Sequence, residues 1–223
     1  MNYTQLTAAI CDYTQNFEQD FVANIPVFVQ QAEQRIFNTV QFPSLRKNVT
    51  GTMSANNKYL SCPGDFLATY SIAVIDAAGA YEYLLNKDVN FIRQAYPTPT
   101  STGIPKYYAL FGPTVSGTTI TDELSFILGP TPNSAYGVEL HYYYYPESIS
   151  VAADGQTWLG DNFDSVLLYG SLVEAVTFMK GEADMVALYD GKYKEALALA
   201  KRLGDGMERQ DAYRSGQYRQ AVT

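Results

Sequence analysis

Apolar residues recur at helical spacing near both ends of the chain and lose that spacing across residues 47–156 between them. Near the start, Ile25, Phe28, Val29, Ala32, Ile36 and Val40 fall at i, i+3, i+4 and i+7 and form one stripe, with Gln30, Gln31, Gln34 and Asn38 opposite. Asn24 suits the N-cap of this helix, Pro26 is tolerated in a first turn, and Pro43 stops it. A shorter amphipathic helix precedes it, through Leu6, Ala9, Ile10 and Tyr13. Toward the other end, Asp161 or Asn162 can cap a helix running to about Lys180, through Val166, Leu167, Val173, Val176 and Phe178, with Gly181 as its C-cap. A last helix spans Ala183 to Leu203, through Leu188, Tyr189, Tyr193, Ala196, Leu197 and Ala200, before Gly204 and Gly206 break it.

Neither helical end can hold a core unaided, so the two must come together. The expected fold is α+β: residues 1–46 and 157–205 as a helical bundle, 47–156 as a long antiparallel β insertion, and 206–223 as a C-terminal arm. The insertion is rich in Gly, Pro, Thr and Tyr. Its candidate strands are Tyr70–Asp76, Lys106–Leu110, Leu124–Leu128 and Val138–Tyr145, with hairpin turns at Asn56-Asn57 and Ser116-Gly117 and a short helix over Val89–Tyr96.

Charge narrows the function. Fifteen basic residues stand against 23 acidic ones, a formal charge of −8, and no block of like charge occurs. A sequence-independent nucleic-acid binder neutralises phosphates with Lys and Arg, and this balance points the other way. Cys11 and Cys62 lie far apart in unlike contexts, which predicts no disulfide and an intracellular origin. No basic-then-apolar leader opens the chain, and no run approaches the ~18 apolar residues of a membrane span. The reading is a soluble protein made in a cytoplasm.

The chemical constellations are missing. No phosphate loop, HExxH, CxxC pair or GxSxG elbow occurs, and His141 is the sole histidine. The carboxylate pairs Asp161/Asp164 and Glu182/Asp184 could supply an acid and a base, but they sit at helix starts, where carboxylates favour the dipole. Catalytic residues, a metal site and a cofactor are therefore not expected. The strongest anomaly is His141-Tyr142-Tyr143-Tyr144-Tyr145, within a chain holding nineteen Tyr and one Trp. On a strand, Tyr142 and Tyr144 face one side and His141, Tyr143 and Tyr145 the other, so both faces need cover from the core or from another subunit. Stacking on sugar or single-stranded nucleic acid is the sharper alternative.

Several segments, taken in order, are similar to the head-to-tail adaptor family of short-tailed and related phages. They are Ile25-Pro26 with Ala32-Glu33-Gln34-Arg35-Ile36, Cys62-Pro63-Gly64-Asp65-Phe66-Leu67, Gly103-Ile104-Pro105-Lys106-Tyr107-Tyr108, Leu128-Gly129-Pro130-Thr131-Pro132, and the tyrosine strand ending Tyr145-Pro146. Thr157-Trp158-Leu159, Leu167–Ala175 and Tyr193-Lys194-Glu195-Ala196-Leu197 complete the order. Cys62 stands where the family often has Leu. The resemblance implies a structural, non-enzymatic subunit without cofactor, located in the virion neck after synthesis in the host bacterium. It implies a homo-oligomeric ring, commonly twelve-fold, between the portal protein and a tail nozzle or other tail protein. Double-stranded DNA would pass through without sequence-specific binding, and no membrane is involved. Oligomer or portal contacts are then expected at Tyr142, Tyr143, Tyr144 and Tyr145, and on the arm at Arg209, Tyr213, Arg214, Tyr218 and Arg219. The rival readings are a Tyr-rich carbohydrate-binding or tail-fibre-associated module, and a lytic hydrolase.

Overall fold

Helices α1 (Tyr3–Thr14) and α2 (Gln19–Thr39) lead into a strand-rich middle that contains one short helix, α3 (Val89–Ala95). Helices α4 (Trp158–Asn162), α5 (Asp164–Phe178) and α6 (Ala183–Glu208) follow. The structure is a computed structural model and describes residues 1–208 other than Gln41, Pro99, Pro113, Gly117, Thr118 and Glu123. Its contacts fall into two units, one formed by Met1–Leu45 with the chain from Tyr145 onward, the other by Arg46–Tyr144. The return to the helical unit at Tyr145 comes earlier than the boundary at 156 expected from sequence. The reason is Ile149, which is fully buried and gives its N–H to Glu33 Oε1 at 3.0 Å, so the segment packs on α2.

In the helical unit, α5 contacts α1, α2, α4 and α6. Its sequence explains this: Val166, Leu167, Leu168, Leu172, Val173, Ala175 and Val176 are all buried, so apolar side chains wrap most of its circumference. The stripe on α2 lies inward as expected, with Ile25, Phe28, Val29, Ala32 and Ile36 buried and Gln30, Gln31, Gln34 and Asn38 exposed.

Several boundaries differ from the sequence reading. Helix α2 begins at Gln19, so Asn24 is no cap; its Nδ2 donates to the Asp20 carbonyl inside the helix, and Pro26 lies in the helix interior. Neither Asp161 nor Asn162 caps α5: its N-cap position is Phe163, which makes no side-chain cap bond. Both residues belong instead to the short helix α4, capped by Thr157, whose Oγ1 accepts the Gly160 N–H at 3.2 Å. At the end of α5, Lys180 and not Gly181 takes the left-handed conformation, with φ of 54°. Gly181 is needed for another reason, since a Cβ there would stand 2.5 Å from Val176 Cγ1. Helix α6 runs through Gly204 and Gly206 to Glu208. Each glycine costs about 1 kcal/mol relative to Ala, which an already propagating helix can absorb. Leu188, expected on the inner face of α6, is 54% exposed, while Tyr189, Tyr193 and Ala200 are buried.

The second unit holds two four-stranded sheets. One pairs β1 (Arg46–Thr52), β12 (Gly137–Tyr143), β3 (Ala68–Ile75) and β4 (Tyr81–Tyr83) in that order, all antiparallel. The other orders β2 (Tyr59–Ser61), β10 (Ser125–Gly129), β7 (Tyr107–Phe111) and β5 (Leu85–Asn86). The β5–β7 pair is parallel, as is a small ladder between β6 (Thr102–Gly103) and β11 (Thr131–Pro132), where an antiparallel insertion was expected. Strands β8 (Thr114–Ser116) and β9 (Thr119–Asp122) pair antiparallel as a separate two-stranded ladder, and the turn expected at Ser116-Gly117 falls partly outside the described residues. The Asn56-Asn57 turn, by contrast, joins β1 and β2 of different sheets and closes no hairpin. Inward side chains of both sheets share one core, including Ile72, Leu140 and Tyr142 from the first and Tyr108, Phe126 and Leu128 from the second. Helix α3 covers the other face of the second sheet through Ile92, against Ala109 and Ile127. Gly129 permits the approach, because a Cβ there would fall 2.8 Å from the Tyr96 ring.

Candidate interaction surface

Strand β12 alternates strictly, with Val138, Leu140 and Tyr142 buried and Glu139, His141 and Tyr143 half-buried. The tyrosine run therefore splits by role. Tyr142 is 1% exposed and belongs to the core; its hydroxyl donates to Asp65 Oδ1 at 2.7 Å, while Lys47 Nζ donates to Asp65 Oδ2 at 2.8 Å. The Lys47 hydrogen bond holds the Asp65 carboxyl below its ordinary range, and burial pushes the Tyr142 phenol up. A side chain so enclosed cannot reach another subunit, which removes Tyr142 from the expected contact residues. Tyr144 packs against the same core, beside Tyr142 and under the Lys47 ammonium, 5.0 Å from its ring centre. Tyr145 lies in the helical unit, where its hydroxyl donates to Asn38 Oδ1.

Tyr143 alone of the run joins the outer face of the first sheet. Between His141 and Tyr142 the β12–β3 register slips, and Tyr70 is the extra residue. The bulge sets the Tyr70 ring 6.0 Å from both His141 and Tyr143, edge-on to each, with the Arg46 guanidinium 4.7 Å from the Tyr70 centroid. Farther along, Glu139 accepts from Asn48 Nδ2 and from the Tyr81 hydroxyl, and these two bonds, Asn48 first, keep its carboxyl below the usual range. Tyr70, Tyr81 and Tyr83 are 44%, 54% and 66% exposed. The face thus presents broad aromatic surface with its polar groups already oriented by one another, a composition suited to a protein contact.

Sequence reasoning missed Tyr70, Tyr81 and Tyr83. Alternation in Tyr81-Glu82-Tyr83 puts the two tyrosines on one side of a strand, but their exposure follows from pairing with β3, which no local pattern reveals.

The remaining candidates do not converge. Asp161 lies in the first turn of α4 and Asp164 in that of α5, where Asp164 Oδ1 accepts the Ser165 N–H. Glu182 directly precedes α6 and Asp184 lies in its first turn. Among the described residues no group of three or more His, Cys, Asp and Glu is placed to hold a metal ion, and no helix is long and apolar enough to cross a membrane. Arg209, Tyr213, Arg214, Tyr218 and Arg219 lie outside the described residues.

Three of the segments that carry the phage resemblance meet inside the helical unit. Arg35 of α2 forms an ion pair with Glu174 of α5, and its guanidinium lies 5.8 Å from the Tyr193 ring of α6. Against known proteins, the family model described as SU10 adaptor protein matches residues 1–220. No curated protein matches the chain.

Proposed function

Because the chain belongs to the SU10 adaptor protein family, a family of bacteriophage structural proteins, we propose that it is a subunit of a ring that docks beneath the portal, joins capsid to tail in the virion neck and surrounds the path of the DNA. The observation that carries this reading is the outer face of the β1-β12-β3-β4 sheet. Tyr70, Tyr81, Tyr83 and Tyr143 stand there with Arg46, and the first three are exposed. A wet but sticky face of this kind suits a protein partner in a permanent assembly.

Charge supports the conduit. Each copy adds a formal charge of −8, so a ring of commonly twelve copies repels phosphate and lets DNA slide past without reading its sequence. The carboxylates of Asp161, Asp164 and Asp184 lie in the first turns of their helices, where the dipole favours them.

The test is co-sedimentation with the cognate portal protein. Tyr70→Ser combined with Tyr83→Ser removes exposed side chains, so the fold should persist while attachment to portal or tail weakens. An open tyrosine face also favours the carbohydrate-binding reading. Glycan-array binding that the double variant abolishes, with assembly untouched, would select that reading instead.

A further inference from the structure

Among the described residues, strands β1 and β2 are each the outermost strand of their sheet, and each pairs on one side only. Between them runs an apolar groove of about 360 Å³, with Val49 and Gly51 on one bank, Leu60 and Pro63 on the other, and the core residues Val138 and Leu140 behind. No lining residue is charged. An exposed edge strand is normally blunted by Lys, Pro or a bulge. Here Lys47 is drawn away to Asp65, and Asn48–Thr52 contain neither charge nor proline. The edge is seven residues long and exposed over nearly all of them.

The same unit carries an arm of matching chemistry. Strands β8 and β9 lie in the chain between the paired strands β7 and β10; β2 pairs with β10 from Ser125 to Ile127, and β5 with β7 at Tyr107 and Tyr108. Among the described residues no third strand pairs with β8 or β9. Thr114, Val115, Thr119, Ile120 and Thr121 are β-branched, and Asp122 is the one charged residue in the two strands. A two-stranded ribbon is marginal in water by itself, so a β-rich, nearly uncharged one gains from a third strand.

We infer that the β8–β9 arm of one copy adds to the open β1 edge of the next copy and covers the groove between β1 and β2. Backbone hydrogen bonds along β1 provide the attachment, and the uncharged groove favours this nearly uncharged arm over a highly charged peptide. Arm and groove are different surfaces, so the contact is head-to-tail, the kind that closes into a ring when its rotation allows. The inference rests on the ring reading and names the contact that would build the ring.

Disulfide trapping tests it, with Cys62→Ala as the background so that the groove cysteine does not compete. Protein carrying Val49→Cys is mixed with protein carrying Val115→Cys or, to sample the neighbouring position, Ser116→Cys, and assembled with portal. The expected result is a disulfide-linked dimer between the two kinds of copy in the assembled fraction. Val49→Lys and Ile120→Lys should each lose the assembled species while melting like the parent. Rings that form with no cross-link from either arm position, and that tolerate both lysines, would overturn the arm-to-edge contact and leave the ring itself standing. Protein that forms no ring with or without portal would overturn the ring reading, and this contact with it.

Discussion

The Ala32 Cβ stands 3.2 Å from the point where a Cβ on Gly170 would lie, and the Tyr193 ring is equally near that point on its other side. Helices α2, α5 and α6 therefore meet at a position that has room for a hydrogen and little more. Glycine inside a helix costs about 1 kcal/mol relative to Ala, so its use here reflects the close approach of two neighbours. Gly170→Val should destabilise the protein by about 1–3 kcal/mol through overpacking, read as a lowered denaturant midpoint. An unchanged midpoint would mean that the three helices can part at no cost.

Arg35 and Glu174 tie α2 to α5 at the same level. The side chain of Glu174 is 15% exposed and that of Arg35 42%, so the pair is partly screened. A double-mutant cycle with Arg35→Ala and Glu174→Ala should return a coupling of about 0.2–1 kcal/mol, smaller in high salt. Zero coupling at low salt would mean that solvent fully screens the pair and that apolar packing alone holds α2 to α5.

Glu33 gives the helical unit a pH dependence. It is 3% exposed, and burial raises its carboxyl above the usual range, opposed by the hydrogen bonds from the Ile149 N–H and the Ser148 hydroxyl. The folded protein then binds this proton more tightly than the unfolded chain. Its contribution to stability is complete below the ordinary carboxylate range and is lost as pH rises through the raised value. Melting temperature measured against pH should show a decline over that window, and Glu33→Gln should flatten it. A decline of equal size in Glu33→Gln must come from other groups.

Lys180 holds a left-handed conformation, with φ of 54°, that L-residues enter at a cost. Lys180→Gly should stabilise the protein by roughly 0.5–1 kcal/mol, read as a higher melting temperature. A fall would show that the lysine side chain contributes more than its backbone costs.

Helical burial was legible in the sequence because a stripe has one period and one possible inside: Ile25, Phe28, Val29, Ala32, Ile36 and Val40 are all buried. The inward side of the tyrosine strand was not, since Tyr142 becomes core only when β1, β3 and the second sheet surround it, and their residues lie far away in the chain. For the same reason the exposed Tyr70, Tyr81 and Tyr83 escaped notice. Helix ends misled where a good local signal had a stronger competitor. Asn24 can cap, but the hydrophobic pattern through Phe21 carries α2 back to Gln19, and Gly204 and Gly206 weaken α6 without ending it.

The proposed function rests on assembly, and mass with rotational symmetry tests that most directly. Purified protein should be weighed alone and after mixing with its portal, and the complex imaged down its axis. The account predicts a closed ring, commonly of twelve copies, seated on the portal. Protein that remains monomeric and unattached in the presence of intact portal would contradict it.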